Sequence, residues 1–351
     1  MTADIVRQPM PSDDAEPSER PVIEGIGLTK HFKVRAKRFG ARGTVHAAED
    51  VSIALHAGRV TAVVGESGSG KSTVSRMLAR IAEPTSGQLL LDGQPVQLGR
   101  SVSREYRARV QLVLQDPFAS LNPVHKVRYI LGRPLKIHGY TGEDIGQTIL
   151  HLLRRVALEP AEQFIDKYPH ELSGGQRQRI AIARALAVQP KVLLADEPVS
   201  MLDVSIRLGI LNLLADLRDR EGLAILYVTH DIASARYLAD TIAVMYAGRI
   251  IERGPAREIT DNPTHPYTKL LLSAAPDPDA ADATWAGARG APPSLVTPPS
   301  GCRFHPRCPY AMPVCSERTP PTFAVGPAHG SDCWLYDSSA ESSAAPGGAI
   351  P

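Results

Sequence analysis

No stretch of the 351 residues stays apolar for the roughly 18 positions that a membrane-spanning helix requires, so no transmembrane segment is predicted. An excess of one charge is also missing. Against 37 Asp and Glu stand 39 Lys and Arg, and the resulting +2 excludes a general nucleic-acid footprint. The basic stretch from Lys30 to Arg42 reads as a solvated loop. Cysteine is absent from the first 301 residues, so no disulfide framework supports the bulk of the chain. Residues 1–21 combine Asp, Glu, Pro and Ser without the apolar centre of a signal peptide; they predict a disordered tail on a chain that stays in the cytosol. No internal repeat is evident. A chain of 351 residues exceeds what one core usually holds, which predicts a main domain with an appendage.

Against these absences stand three ordered motifs. Gly65, Glu66, Ser67, Gly68, Ser69, Gly70, Lys71 and Ser72, followed by Thr73, match the phosphate-loop pattern. Its backbone N–H groups cradle phosphates, its lysine reaches the β and γ oxygens, and its last hydroxyl suits Mg²⁺. The flanks fit. Arg59 to Val64 reads as a buried strand, and Val74, Met77, Leu78 and Ile81 recur at helical spacing. A plain glycine-rich turn would match the loop but not this setting. Further on, Ser173, Gly174, Gly175 and Gln176 open a predicted helix through Ile180, Ile182, Ala183 and Leu186. A hydroxyl and free N–H groups at a positive helix end suit an anion, although a plain N-cap gives the same pattern. Finally, the apolar run Val192 to Ala195 ends in Asp196 and Glu197, where parallel strands carry their active sites.

The full octet from Leu172 to Arg179, Leu-Ser-Gly-Gly-Gln-Arg-Gln-Arg, together with the other two motifs, resembles the ATP-binding-cassette (ABC) family. That resemblance implies an α/β fold: a RecA-like phosphate-loop core, an antiparallel β layer and an α-helical subdomain. It implies ATP and Mg²⁺ as ligands and a paired ATPase, in which Ser173 to Gln176 of one subunit cover the γ-phosphate held by the other. It makes Glu197 the general base, and Ser72, Gln115 and Asp196 the Mg²⁺ ligands. His230, after the strand-like Ala224 to Thr229, resembles the switch histidine on the γ-phosphate, though alone it also reads as a capping or core histidine. Asp203, in Ser-Met-Leu-Asp, resembles the loop that meets the opposite subunit, with Met201 where alanine is usual. Phe32 resembles the aromatic that stacks on adenine, separated from the core by an insertion-like stretch from Lys33 to Gly43.

The predicted organisation is a tail over 1–21, a nucleotide-binding domain over 22–262, an extension over 263–336 and a disordered tail over 337–351. Within the domain, about 115–175 reads as the helical subdomain. Residues 118–123 are read as part of a groove for a membrane partner. After it come a strand Lys191 to Ala195, a helix Ser205 to Arg220, a strand Ala224 to Thr229 and a hairpin Thr241 to Glu252 turning at Ala247-Gly248. Residues 276–299 hold six prolines and read as a linker with little core of its own.

Beyond that linker lie all the cysteines: Cys302, Cys308, Cys315 and Cys333, with five, six and seventeen residues between them. Clustered thiols in the cytosol favour a metal over disulfides, but the spacing lacks the paired knuckles of common zinc sites. Residues 262–271 and 301–309 resemble the C-terminal extension of ATPase subunits from oligopeptide and dipeptide importers. In that family the four cysteines are associated with a 4Fe-4S cluster; structural zinc and unliganded thiols are the alternatives. The resemblance implies an ATPase on the cytoplasmic face of the membrane. Its partners would be two permease subunits, a second ATPase chain, preferentially a different one, and indirectly an extracytoplasmic binding protein. A soluble ABC ATPase, or an importer of nickel or glutathione-like solutes, is the alternative; two cassettes or a coiled-coil insert, marks of the soluble branches, are not seen.

Overall fold

The computed structural model describes residues 20–35, 42–98, 102–140, 145–274 and 290–337; both expected disordered tails lie outside the described residues, save 20–21 and 337. The strands are β1 (Ile23–Arg35), β2 (Arg42–Leu55), β3 (Val60–Val64), β4 (Ser86–Leu91), β5 (Gln94–Pro95), β6 (Val110–Val113), β7 (Val192–Asp196), β8 (Ala224–Thr229), β9 (Thr241–Tyr246), β10 (Arg249–Pro255), β11 (Phe323–Gly326) and β12 (His329–Ser331). They form two sheets. One has the order β2-β1-β4-β5 and the other β11-β12-β10-β9-β3-β8-β7-β6. In the larger sheet β6, β7, β8, β3 and β9 run parallel, and β10, β12 and β11 continue it antiparallel.

The apolar runs of the central strands are explained by burial on both faces. Val60, Ala62 and Val64 of β3 join Ile225 and Tyr227 of β8 in the core shared with helices Gly174–Leu186 and Val204–Glu221. Their alternates, Val63, Leu226 and Val228, face the second core, with Ile23, Leu28, Val51 and Leu55 of the antiparallel sheet. Helix Lys71–Leu78 lies in that second core through Val74, Met77 and Leu78. Between residues 115 and 173 the described regular structure is entirely helical, including Val127–Ile137 and Ile145–Arg155. No helix among the described residues is long and apolar enough to cross a membrane.

Two expectations are corrected. Lys30 to Arg35 is not loop but strand: the β1–β2 ladder continues through Lys33↔Thr44, Val34↔Gly43 and Arg35↔Arg42, so the insertion lengthens a hairpin. Ile81 is 66% exposed, because the helix ends at Leu78 and Arg80 takes a left-handed φ of 54°. Beyond the linker, the extension has short strands and buried residues of its own. β12 pairs with β10 and β11 with β12, and Phe304, Cys315, Cys333 and Trp334 are buried.

Candidate active site

The parallel strands bring their C-terminal ends to one edge of the sheet, where α/β folds place ligands. β3 ends at Val64 and turns through residues 65–70 into helix Lys71–Leu78. Space dictates two of the glycines. A Cβ on Gly65 would sit 2.1 Å from the Met245 carbonyl oxygen, and one on Gly70 2.1 Å from that of Ala47. Their φ angles, 155° and 106°, are also foreign to other residues.

Lys71 is buried, and its Nζ donates to the carbonyl oxygens of Gly65 at 2.8 Å and Glu66 at 3.0 Å. Burial pulls its pKa below the usual lysine range, opposed by the carboxylates of Glu197 and Asp196. Ser69 is buried, and its hydroxyl has no hydrogen-bond partner among the described residues. An unpartnered buried hydroxyl beside a buried cation suits an anionic ligand. Ser67 and Gly68 are exposed, and Thr73 N–H donates to Gly70 O at 2.9 Å.

β7 delivers the carboxylates. Ser72 Oγ donates to Asp196 Oδ1 at 2.8 Å; burial raises the Asp196 pKa, and this hydrogen bond restrains the rise. A hydroxyl and a buried carboxylate side by side are oxygen donors of the kind Mg²⁺ takes. Glu197 has a left-handed φ of 46°, a cost that functional sites tolerate. Its Oε2 accepts from Gln115 Nε2 at 3.0 Å and lies 3.3 Å from His230 Nδ1, while Oε1 is 4.0 Å from Lys71 Nζ. Gln115 also reaches Ser200 Oγ at 3.4 Å. Segments distant in sequence thus meet around one carboxylate.

Other predicted residues stand apart from that cluster. Ser173 accepts from Gln176 N–H at 3.3 Å, and Gln176 Oε1 accepts from Ser173 N–H at 3.0 Å, a reciprocal cap at the start of helix Gly174–Leu186. Neither contact reaches the phosphate loop. Gly175 packs so tightly on helix Val204–Glu221 that a Cβ would lie 2.4 Å from Ile206 Cγ2. Asp203 is exposed at the N-terminus of that helix, without a side-chain cap bond. Phe32 is 41% exposed, with Lys30 Nζ 5.1 Å from its ring centroid. Its partner Val45 lies two residues before Ala47, whose carbonyl abuts Gly70, so the long hairpin runs beside the loop. Of the predicted groove, Leu121 is buried in the core; the helical region instead opens a cavity of about 520 Å³ between helices Val127–Ile137 and Ile145–Arg155, lined by Tyr129, Arg133, Ile149 and Leu150 among others.

The four thiols lie near one another, with Cys302, Cys308 and Cys315 each acting electrostatically on Cys333. Burial pushes Cys302 up to about 11 and Cys333 up to about 12. A tetrahedral zinc with sulfur at about 2.3 Å would draw its ligands to about 3.8 Å of one another. Among the described residues, the one group of three or more metal-ligating side chains with donor atoms within 4.8 Å of one another is His31, His46 and Glu49; the sulfurs do not form such a group. The Glu49 carboxylate is already engaged: despite burial, Arg249 and Arg303 hold its pKa down at about 2.

Comparison with known proteins decides the family. Over 91% of this chain and 98% of the relative, it is 40% identical to the oligopeptide transport ATP-binding protein AppF of Bacillus subtilis. The chain belongs to the ATP-binding subunits of ABC transporters. Residues 48–200 match the ABC transporter family model, and 251–315 match the oligopeptide/dipeptide transporter C-terminal region. The di/tripeptide transport ATP-binding protein DppF of Pseudomonas aeruginosa is 45% identical over 85% of this chain and 93% of the relative. Among solved structures, cbiO1 of Clostridium perfringens aligns with a TM-score of 0.60 at 30% identity, covering 70% of this chain and 92% of that one. The cassette MJ0796, solved as a dimer bound to ADP and Pi, aligns at 0.57 and 29%, covering 67% and 99%. This ABC subunit is therefore an ATPase with the cassette fold.

Sequence reasoning missed the residues that join the extension to the loop. Arg307 contacts Glu66 across 241 positions, and Tyr267 Oη accepts from Glu66 N–H at 2.8 Å. No periodicity links positions so far apart. The one available signal was the density of Arg, His and Phe between Cys302 and Cys308.

Proposed function

We propose that this ATPase drives a membrane importer for short peptides, hydrolysing ATP at the interface of two such subunits. The observation that carries the reading is the meeting of Lys71, Gln115 and His230 on Glu197, beside the Ser72–Asp196 pair. Residues 65–73 hold the phosphates, and Phe32 stacks on the base. Ser72, Gln115 and Asp196 would hold Mg²⁺, which would supply positive charge against the phosphates. Glu197 takes a proton from water as the water oxygen bonds to the γ-phosphorus and the bond to the bridging oxygen breaks, releasing ADP and phosphate. His230 donates to the γ-phosphate.

Ser173, Gly174, Gly175 and Gln176 serve the ATP of the other subunit, and Asp203 touches that subunit. Two facts support this: their contacts stay away from the chain's own loop, and MJ0796 was solved as a dimer. The names of the relatives support peptides as cargo, and an ATP-binding subunit of a transporter implies permeases as partners. We place the subunit on the cytoplasmic face, paired with a different ATPase chain and receiving cargo from an extracytoplasmic binding protein. The cassette spans 22–262, with its helical subdomain at about 115–175; the extension spans 263–336. Within the extension, Cys302, Cys308, Cys315 and Cys333 would hold a 4Fe-4S cluster, which would supply a structural crosslink; zinc is the alternative.

The test is Glu197→Gln. ATP binding should survive while turnover falls about 100-fold or more, trapping an ATP-bound dimer. Turnover near that of the unmodified chain would remove Glu197 from its role.

A further inference from the structure

Glu66 puts a carboxylate inside a loop built to receive phosphates. Its field reaches Lys71, and an ATP polyanion would meet the same negative charge. The loop tolerates this because the charge is met from outside the cassette's own motifs. Arg307 Nη1 donates to Glu66 Oε1 at 3.3 Å and Oε2 at 3.2 Å, and Nη2 donates to Oε1 at 3.3 Å. The guanidinium is in turn fixed. Nη1 donates to Tyr246 Oη at 3.3 Å, and the group lies over the rings of Tyr246 and Phe304 at 5.8 and 5.9 Å. Only 10% of the Arg307 side chain is exposed, against 29% for Glu66, so the guanidinium side of the pair is shielded from water.

Glu66 is restrained through its backbone as well. Tyr267 Oη accepts its N–H, and Lys71 donates to its carbonyl oxygen. A lysine drawn onto phosphates would give up that carbonyl, leaving Arg307 and Tyr267 to keep the loop in shape. We propose that Arg307 is a positioning residue of the nucleotide site: it neutralises Glu66 and holds the phosphate loop ready for ATP from the thiol-bearing segment. It rides on the turn His305–Arg307, between Cys302 and Cys308, and Cys302 N–H donates to Cys315 O at 2.8 Å beneath it. The state of the four-cysteine segment thereby bears directly on nucleotide affinity. This inference rests on the loop being the ATP site.

The experiment is a double-mutant cycle on the full chain, read as MgATP affinity by titration calorimetry and as the KM and kcat of ATP turnover. Arg307→Ala should weaken ATP binding about tenfold, raising KM and moving kcat little. In a Glu66→Gln background, where there is no carboxylate to neutralise, the same change should cost less than about threefold. Equal losses in both backgrounds, or none in either, would overturn the inference, because a purely structural role ignores the charge at position 66. Should Arg307→Ala not accumulate, Arg307→Gln keeps the apolar stem against the two rings and reads the same charge. Lys71→Ala is the control for the loop: it should abolish ATP binding, and wild-type affinity there would overturn the nucleotide reading and this inference with it.

Discussion

His265 is enclosed between the cassette and its extension, and burial holds its pKa down at about 4. Its Nδ1 accepts from Tyr267 N–H at 3.0 Å, and Nε2 has no partner among the described residues. The neutral ring therefore belongs to the fold. An unfolded histidine protonates near pH 6.5, so as the pH falls from there towards 4 the unfolded chain takes up a proton that the folded one refuses. That stabilisation is complete above pH 6.5 and drains away below it. Asparagine at 265 would still accept from Tyr267 N–H but would not titrate. Between pH 7.5 and 4.5, wild type should lose about 2–3 kcal/mol of unfolding free energy relative to His265→Asn. Denaturant unfolding of both proteins at the two values checks this; a difference that does not change with pH would put the histidine in water.

The helix that begins at Ser173 shows what sequence patterns give and withhold. Its start was legible because a capping residue, two glycines and a glutamine precede an apolar periodicity, and those types have local reasons to sit there. The same local logic made β3, β7, β8 and the turn at Ala247-Gly248 legible. Where structure depends on distant partners the pattern was silent. β11 and β12 span four and three residues and exist as strands only because β10 offers them an edge. The stretch from Lys33 reads as loop until its ladder to residues 42–44 is seen. The site was legible as motifs, but not as a cluster centred on Glu197. At this helix the structural and chemical roles of one hydroxyl can be separated. Ser173→Ala removes the cap bond and should cost about 1 kcal/mol of stability. If the hydroxyl also serves a partner's ATP, turnover should fall about tenfold or more while ATP binding by the separate subunit is unchanged. Equal turnover in both proteins would leave Ser173 as a cap alone.

Across the molecule, three carboxylates of the cassette grip three basic side chains of the extension. Glu66 meets Arg307, Glu49 meets Arg303, and the buried Glu252 accepts from His329 Nε2 at 2.8 Å and from Thr264 and His265 N–H. Backbone pairing adds little: β10 and β12 share only Glu252↔Ser331 and Arg253↔Gly330. Two of these clasps touch the phosphate loop or the strand beside it, so a loosened extension should be felt at that loop. The proposed cluster would set how loose it is. Burial keeps Cys302 and Cys333 protonated at neutral pH as small apolar groups; binding a cluster would replace their protons with a crosslink coupled to folding. Protein purified without oxygen should carry about four irons and four sulfides per chain. Removing them, or replacing Cys315 with serine, should lower the melting midpoint and raise ATP KM in the same direction as Arg307→Ala. Amide exchange should quicken first in residues 290–337 and then at residues 65–70, while β7 and β8 keep their protection. One zinc per chain, or neither metal, would overturn the cluster, and exchange that quickens evenly across the molecule would break the link between thiols and loop.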